Sequence, residues 1–204
     1  MQTDIFSSTG LPVTLTPTAE SKLWTWDPRK FFGLILATLA ASSKSIFVAT
    51  STILTRVADT TTYASGDLVA NSATAGSVVP IQIVVARKNA GVAQIRRVQL
   101  VKSGTVLTLA SFRVHFYKTA PTVTNGDNGA WVSIRAGYLG SVDITVDKAF
   151  SDGAAGIGIP NTGTEISFQT GASVSKIYAL IEARAAYVPP SAETFTLTVE
   201  GIQV

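Results

Sequence analysis

The chain has 204 residues, with sixteen lysines and arginines against thirteen aspartates and glutamates, a formal net charge of +3, one histidine and no cysteine. Without a thiol there is neither a disulfide nor a thiolate-held metal, and no run of Lys and Arg offers the concentrated basic stripe that nucleic acid requires. Only 14% of residues are charged, against about 25% in a typical soluble domain, while 46% are hydrophobic. A surface this poor in charge points to a subunit of an oligomer or assembly.

The first 58 residues form a segment of their own texture. It holds Pro12, Pro17 and Pro28, the pair Trp24 and Trp26, and an apolar run from Phe31 to Ala37. Its start lacks the basic and apolar regions of a signal peptide. The apolar stretch from Phe31 to Ser43, between Lys30 and Lys44, falls short of the roughly 20 residues of a membrane span, so no membrane partner is expected. Ser21 is placed to cap a short helix and Pro28 to start another running to Ala41; an extended arm is the alternative. Because Trp24, Trp26, Phe31 and Phe32 bury a large apolar area wherever they dock, they are candidate interface residues.

Ser45 to Arg56 reads as an early strand, and after Asp59 strands follow in series: Asp67 to Ser72, Val79 to Arg87 and Ala93 to Lys102. Phe112, Val114 and Phe116 then alternate with Arg113, His115 and Tyr117, the pattern of a half-buried strand. Ala130 to Arg135 is the next candidate. Val142, Ile144 and Val146 alternate with Asp143, Thr145 and Asp147, and Glu165 to Gln169 follows. Ile177, Ala179, Ile181 and Ala183 alternate with Tyr178, Leu180, Glu182 and Arg184. Last, Phe195, Leu197 and Val199 alternate with threonines suited to an exposed pleat. Turn clusters at Lys88–Gly91, Asn125–Gly129 and Asn161–Gly163 divide them. No amphipathic helices alternate with these strands, so the expected fold is all-β, a jelly-roll or β-sandwich body at 59–204 behind an N-terminal arm or docking segment at 1–58.

Few residues suggest chemistry. His115, on the polar face of its strand, reads as an exposed or interface histidine, since a catalytic base needs an orienting carboxylate and a nucleophile that sequence does not place. Asp143, Asp147 and Asp152, with Asn125, Asp127 and Asn128, are oxygen donors of the kind calcium takes, but Asn and Asp are also the common turn formers. The segment from Asp152 to Pro160 has spaced glycines without the Lys-Ser/Thr ending of a phosphate loop, which leaves a pliable loop. Trp131 and Tyr138, like Tyr117 and Tyr178, serve either as interface anchors or as a platform for sugar rings. Neither an enzyme nor a cofactor is indicated, and no catalytic, cofactor-binding or metal-binding residue is assigned.

Four stretches carry a family resemblance: Asp59-Thr-Thr-Thr-Tyr63-Ala-Ser-Gly-Asp67-Leu-Val-Ala70, Asn125-Gly-Asp-Asn-Gly129 with Trp131, Ala149-Phe-Ser-Asp-Gly-Ala-Ala-Gly156, and Tyr178-Ala-Leu-Ile-Glu-Ala-Arg-Ala-Ala-Tyr187. Over roughly 59–204 the chain resembles a family of virion-associated structural proteins of tailed bacteriophages and prophages. The resemblance implies a particle component at the capsid surface, a decoration or cement protein made in the bacterial host cytoplasm. The expected partners are the major capsid protein and further copies of the chain, a trimer foremost. The alternative is a tail or surface module binding host carbohydrate through Trp131 and Tyr138.

Overall fold

The structure, a computed structural model, describes residues 5–6, 12–13 and 44–203. Trp24, Trp26, Phe31, Phe32 and the helices expected around them lie outside the described residues. Two compact units divide the chain, Met1–Ala41 and Ser42–Val204. In the first, β1 (Ile5–Phe6) pairs antiparallel with β2 (Pro12–Val13).

The second unit is all-β, and the described residues contain no helix. Its strands are β3 (Ser45–Thr50), β4 (Leu54–Thr55), β5 (Leu68–Val69), β6 (Ile81–Val84), β7 (Val92–Lys102), β8 (Ser111–Tyr117), β9 (Tyr138–Phe150), β10 (Gly153–Gly158), β11 (Ile166–Gln169), β12 (Lys176–Ala183) and β13 (Thr194–Gln203). They run in the order β3-β13-β7-β10-β9-β8-β12-β5, with β4 on β13, β11 on β7 and β6 on β12. Every pairing is antiparallel. β9 belongs to both halves: Tyr138 to Thr145 pairs with β8, and Val146 to Phe150 pairs with β10. The sheet therefore doubles back into two layers over one core, a sandwich-type arrangement.

Period-two alternation fills that core. Val98 and Leu100 of β7 and Phe195, Leu197 and Val199 of β13 meet Phe112, Val114 and Phe116 of β8 and Ile177, Ala179 and Ile181 of β12. Phe112 sits edge-on to Phe195 at 5.5 Å and to Tyr187 at 5.3 Å, locking the layers together. Each such Val, Leu, Ile or Phe side chain contributes about 1.5–3 kcal/mol on burial. A smaller cluster of Leu68, Ala70, Tyr117, Val123 and Leu180 lies on the other face of β8 and β12, with Trp131 and Tyr178 packed against it.

Several expectations are corrected. The body does not begin at Asp59: β3 and β4 both pair with β13, so the last strand draws residues 45–55 into the sheet. Ala130 to Arg135 is no strand, only isolated bridges from Ala130 to Asp67 and from Ser133 to Val123, and Asp67 to Ser72 shrinks to Leu68–Val69. Most of the glycine-rich segment is not a loop but β10, held between β7 and β9. Its glycines are needed for close approach, because a Cβ at Gly156 would stand 2.3 Å from the Thr145 carbonyl oxygen.

Candidate functional site

Two buried ionic clusters tie the loops between strands. Arg56, just beyond β4, has no exposed side-chain surface. It donates to the Tyr63 hydroxyl through Nε, to Asp127 at 2.8 Å, to the side chain and carbonyl of Asp59 and to the Pro190 carbonyl. Tyr63 donates in turn to Asp127 Oδ1 at 2.6 Å, which also accepts the Ala70 amide at 2.7 Å. Burial works against the Arg56 charge, but Tyr63 and Asp127 outweigh it and raise the guanidinium above its usual range, while burial pushes the Tyr63 hydroxyl far up. Asp127 thus closes its Asn-Gly-Asp-Asn-Gly turn onto a buried cation.

The second cluster is equally closed. Lys102 Nζ donates to the Gly104 carbonyl at 2.8 Å, the Tyr187 hydroxyl at 2.8 Å and Glu193 at 3.1 Å, which uses all its protons. Tyr187 donates to Glu193 at 2.8 Å. Both charged side chains are 0% exposed, and burial lowers Lys102 and raises Tyr187. Neither cluster admits a substrate.

His115 is buried rather than exposed, a further correction. Its ring stacks on Trp131 at 4.0 Å and 14°, with Tyr138 tilted 6.0 Å away. Nε2 lies 2.8 Å from Glu182 Oε2, and Nδ1 lies 3.4 Å from the Tyr138 hydroxyl. The excursion between β8 and β9 carries Trp131 over the ring and seals it. Burial is the leading cause that lowers His115 from its usual pKa, and it outweighs the attraction of Glu182. So Trp131 and Tyr138 do meet around His115, but Trp131 is half-buried and gives a face to the imidazole. Tyr138 remains 43% exposed.

The open surface lies on the outer side of β3, β13, β7 and β10. Register places Thr50, Thr198, Gln99 and Ile157 in one row, Thr196, Val101 and Ala155 in the next, and Val48, Glu200 and Arg97 in a third. Ile46 is 79%, Val48 65% and Ile157 52% exposed. In these rows the only charges are Arg97 and Glu200, which pair with each other. Between Phe150 and Ile157 the face dips into a groove of about 600 Å³. Sequence reasoning missed this surface, though the alternation that buries Phe47 and Leu100 necessarily turns Val48 and Val101 outward.

No family model, no curated protein and no solved structure matches the chain.

Proposed function

We propose that the protein is a structural component of a virion, a capsid decoration or cement protein that binds the major capsid lattice through the outer face of β3, β13, β7 and β10. One observation carries the reading: buried ionic ties use Arg56, Lys102, Asp127, Glu182 and Glu193, while the rows of a broad sheet face carry mostly threonine, valine and isoleucine around one Arg97–Glu200 pair, with further charges at Asp143, Asp147 and Lys148 along the groove at its edge. Apolar rows of this kind supply many modest contacts that repeat when copies are arranged symmetrically. The family resemblance supports the same reading. Its stretches contain Tyr63, Asp127, Trp131, Glu182 and Tyr187, the residues that hold the loops in place.

Capsid shells lacking the protein, mixed with it and sedimented, should carry it down in a fixed ratio to the major capsid protein. Val48→Lys with Ile157→Lys should stay in the supernatant as folded protein, since exposed substitutions shift stability by only about 0.5 kcal/mol. Co-sedimentation of this double variant at wild-type level, or none by the wild type, refutes the reading.

A further inference from the structure

Where β10 leaves β9, a cleft opens. Tyr138 to Thr145 is paired with β8 on one side; on the other the register with β10 ends at Val146, although Gly156 and Gly158 still lie against the Thr145 and Asp143 carbonyls. Half the backbone N–H and C=O groups of an antiparallel strand point toward each neighbour, so Tyr138 to Val142, beyond that close approach, directs polar groups into the gap. The segment from Ile159 to Glu165 forms the opposite wall, braced by the Thr164 amide and hydroxyl, both donating to the Asn161 carbonyl at 2.9 Å. The cleft measures about 410 Å³ and is lined by Arg113, Tyr138, Asp143, Asn161, Thr164 and Glu165, among others. That volume falls within the range of small-molecule sites.

The lining selects among ligand classes. Arg113 forms a fork with Asp143, Nε to Oδ1 at 2.6 Å and Nη2 to Oδ2 at 2.7 Å. This leaves Nη1 without a protein acceptor among the described residues, and Asp143, 59% exposed, keeps lone pairs free at the cleft's edge. An anion finds no free positive charge, since Asp143 already neutralises Arg113 and Glu165 adds a negative one. Among the described residues no group of three acidic or histidine side chains could hold a metal ion. A purely apolar molecule would strip water from the carboxylates without replacing their hydrogen bonds. A ligand with paired hydroxyls and a C–H face meets every requirement. Hydroxyls both donate to Asp143 and accept from Arg113, while Tyr138 and Ile159, 43% and 66% exposed, offer apolar surface.

We propose that this cleft binds a neutral saccharide of about one or two rings, with adjacent hydroxyls on the Arg113–Asp143 fork and a ring face against Tyr138. The site opens apart from the rows of β3, β13, β7 and β10 assigned to the capsid, shares only Asp143 with the groove beside them, and excludes Trp131, whose ring covers His115.

Saturation-transfer NMR on the full chain with glucose, galactose, mannose, N-acetylglucosamine and their β-1,4-linked disaccharides tests the assignment. At least one sugar should show transfer with millimolar affinity, weakened about tenfold by Asp143→Asn and by Tyr138→Ala, about 1.4 kcal/mol each. Phe150→Ala, in the other groove, should leave binding unchanged. Because Tyr138 also packs on Tyr117, Thr164→Ala and Glu165→Gln, at exposed loop positions, provide readouts that do not disturb the core. The proposal is overturned if no sugar of the panel shows transfer, or if transfer survives Asp143→Asn and Thr164→Ala undiminished. Transfer to a Thr-Val-Thr-Val-Thr peptide and to no sugar would assign the cleft to strand addition on β9 and overturn it equally.

Discussion

Lys102→Met tests whether the cluster of Lys102, Tyr187 and Glu193 holds its end of the sandwich. Methionine retains much of the side chain's length but withdraws the three hydrogen bonds that Nζ gives to Gly104, Tyr187 and Glu193. Glu193, 0% exposed, then keeps only the Tyr187 hydroxyl as a side-chain donor. Its simplest escape at pH 7 is to take up a proton. For a glutamate of ordinary acidity that costs about 3.7 kcal/mol, 1.36 kcal/mol per pH unit over about 2.7 units. The Gly104 carbonyl loses its partner for about 1 kcal/mol more. The expected loss is about 4–5 kcal/mol, in line with breaking one side of a buried pair, or about 8–20 °C in melting temperature for a domain of this size. The folded variant then binds one proton more than the unfolded chain above about pH 4.3, so acidification relieves it; at pH 5 the proton costs about 1 kcal/mol. Lys102→Met with Glu193→Gln removes both charges and should recover about 3 kcal/mol. Urea unfolding of the wild type, both single variants and the double at pH 7 and pH 5 gives every quantity. A Lys102→Met loss below about 1 kcal/mol, or one equal at the two pH values, refutes the view that this pair is sealed from water.

Gly156→Ala drives a methyl group toward the Thr145 carbonyl and should cost about 1–3 kcal/mol or more by thermal melting. His115 titrates below its usual pKa because burial opposes the charge. Below about pH 6.5 the unfolded chain therefore binds more protons than the folded one, and stability falls as pH drops through that window; His115→Gln should flatten the dependence of melting temperature between pH 7.5 and 5. Trp131→Ala uncovers the imidazole, and NMR should place its titration higher than in the wild type. A chain starting at Ser42 keeps every strand of the body and should fold cooperatively by circular dichroism. One starting at Asp59 loses β3, β4 and Arg56, and circular dichroism should find it unfolded or strongly destabilised.

Strands with one buried face are legible in the sequence: β13 alternates over its whole length and β9 from Val142 to Val146, whereas β8 and β12 alternate only over their first four residues and are buried on both faces beyond them. β10 was not legible: a strand of Gly and Ala has no side-chain contrast to read, and its place is set by how closely β7 and β9 approach. Ala130 to Arg135 failed for the opposite reason, since an alternating surface excursion resembles a strand until a partner is sought. The ionic clusters left a partial signal. Lys102 shares the inward parity of Val98 and Leu100, so a buried cation with a distant acidic partner could be read there, but a sequence separation of 91 from Glu193 hides the pairing. His115 reads as exposed because the far side of its strand is polar in sequence, yet that side is roofed by the excursion that carries Trp131.

The thirteen residues of β9 cross from one layer to the other without a break. A load pulling the two layers apart is thus borne in part along covalent backbone rather than by side-chain packing alone. Sliding one layer over the other would require unzipping a ladder on either side of the crossing between Thr145 and Val146. Shear between the layers is therefore opposed by one continuous ribbon as well as by the packing between them.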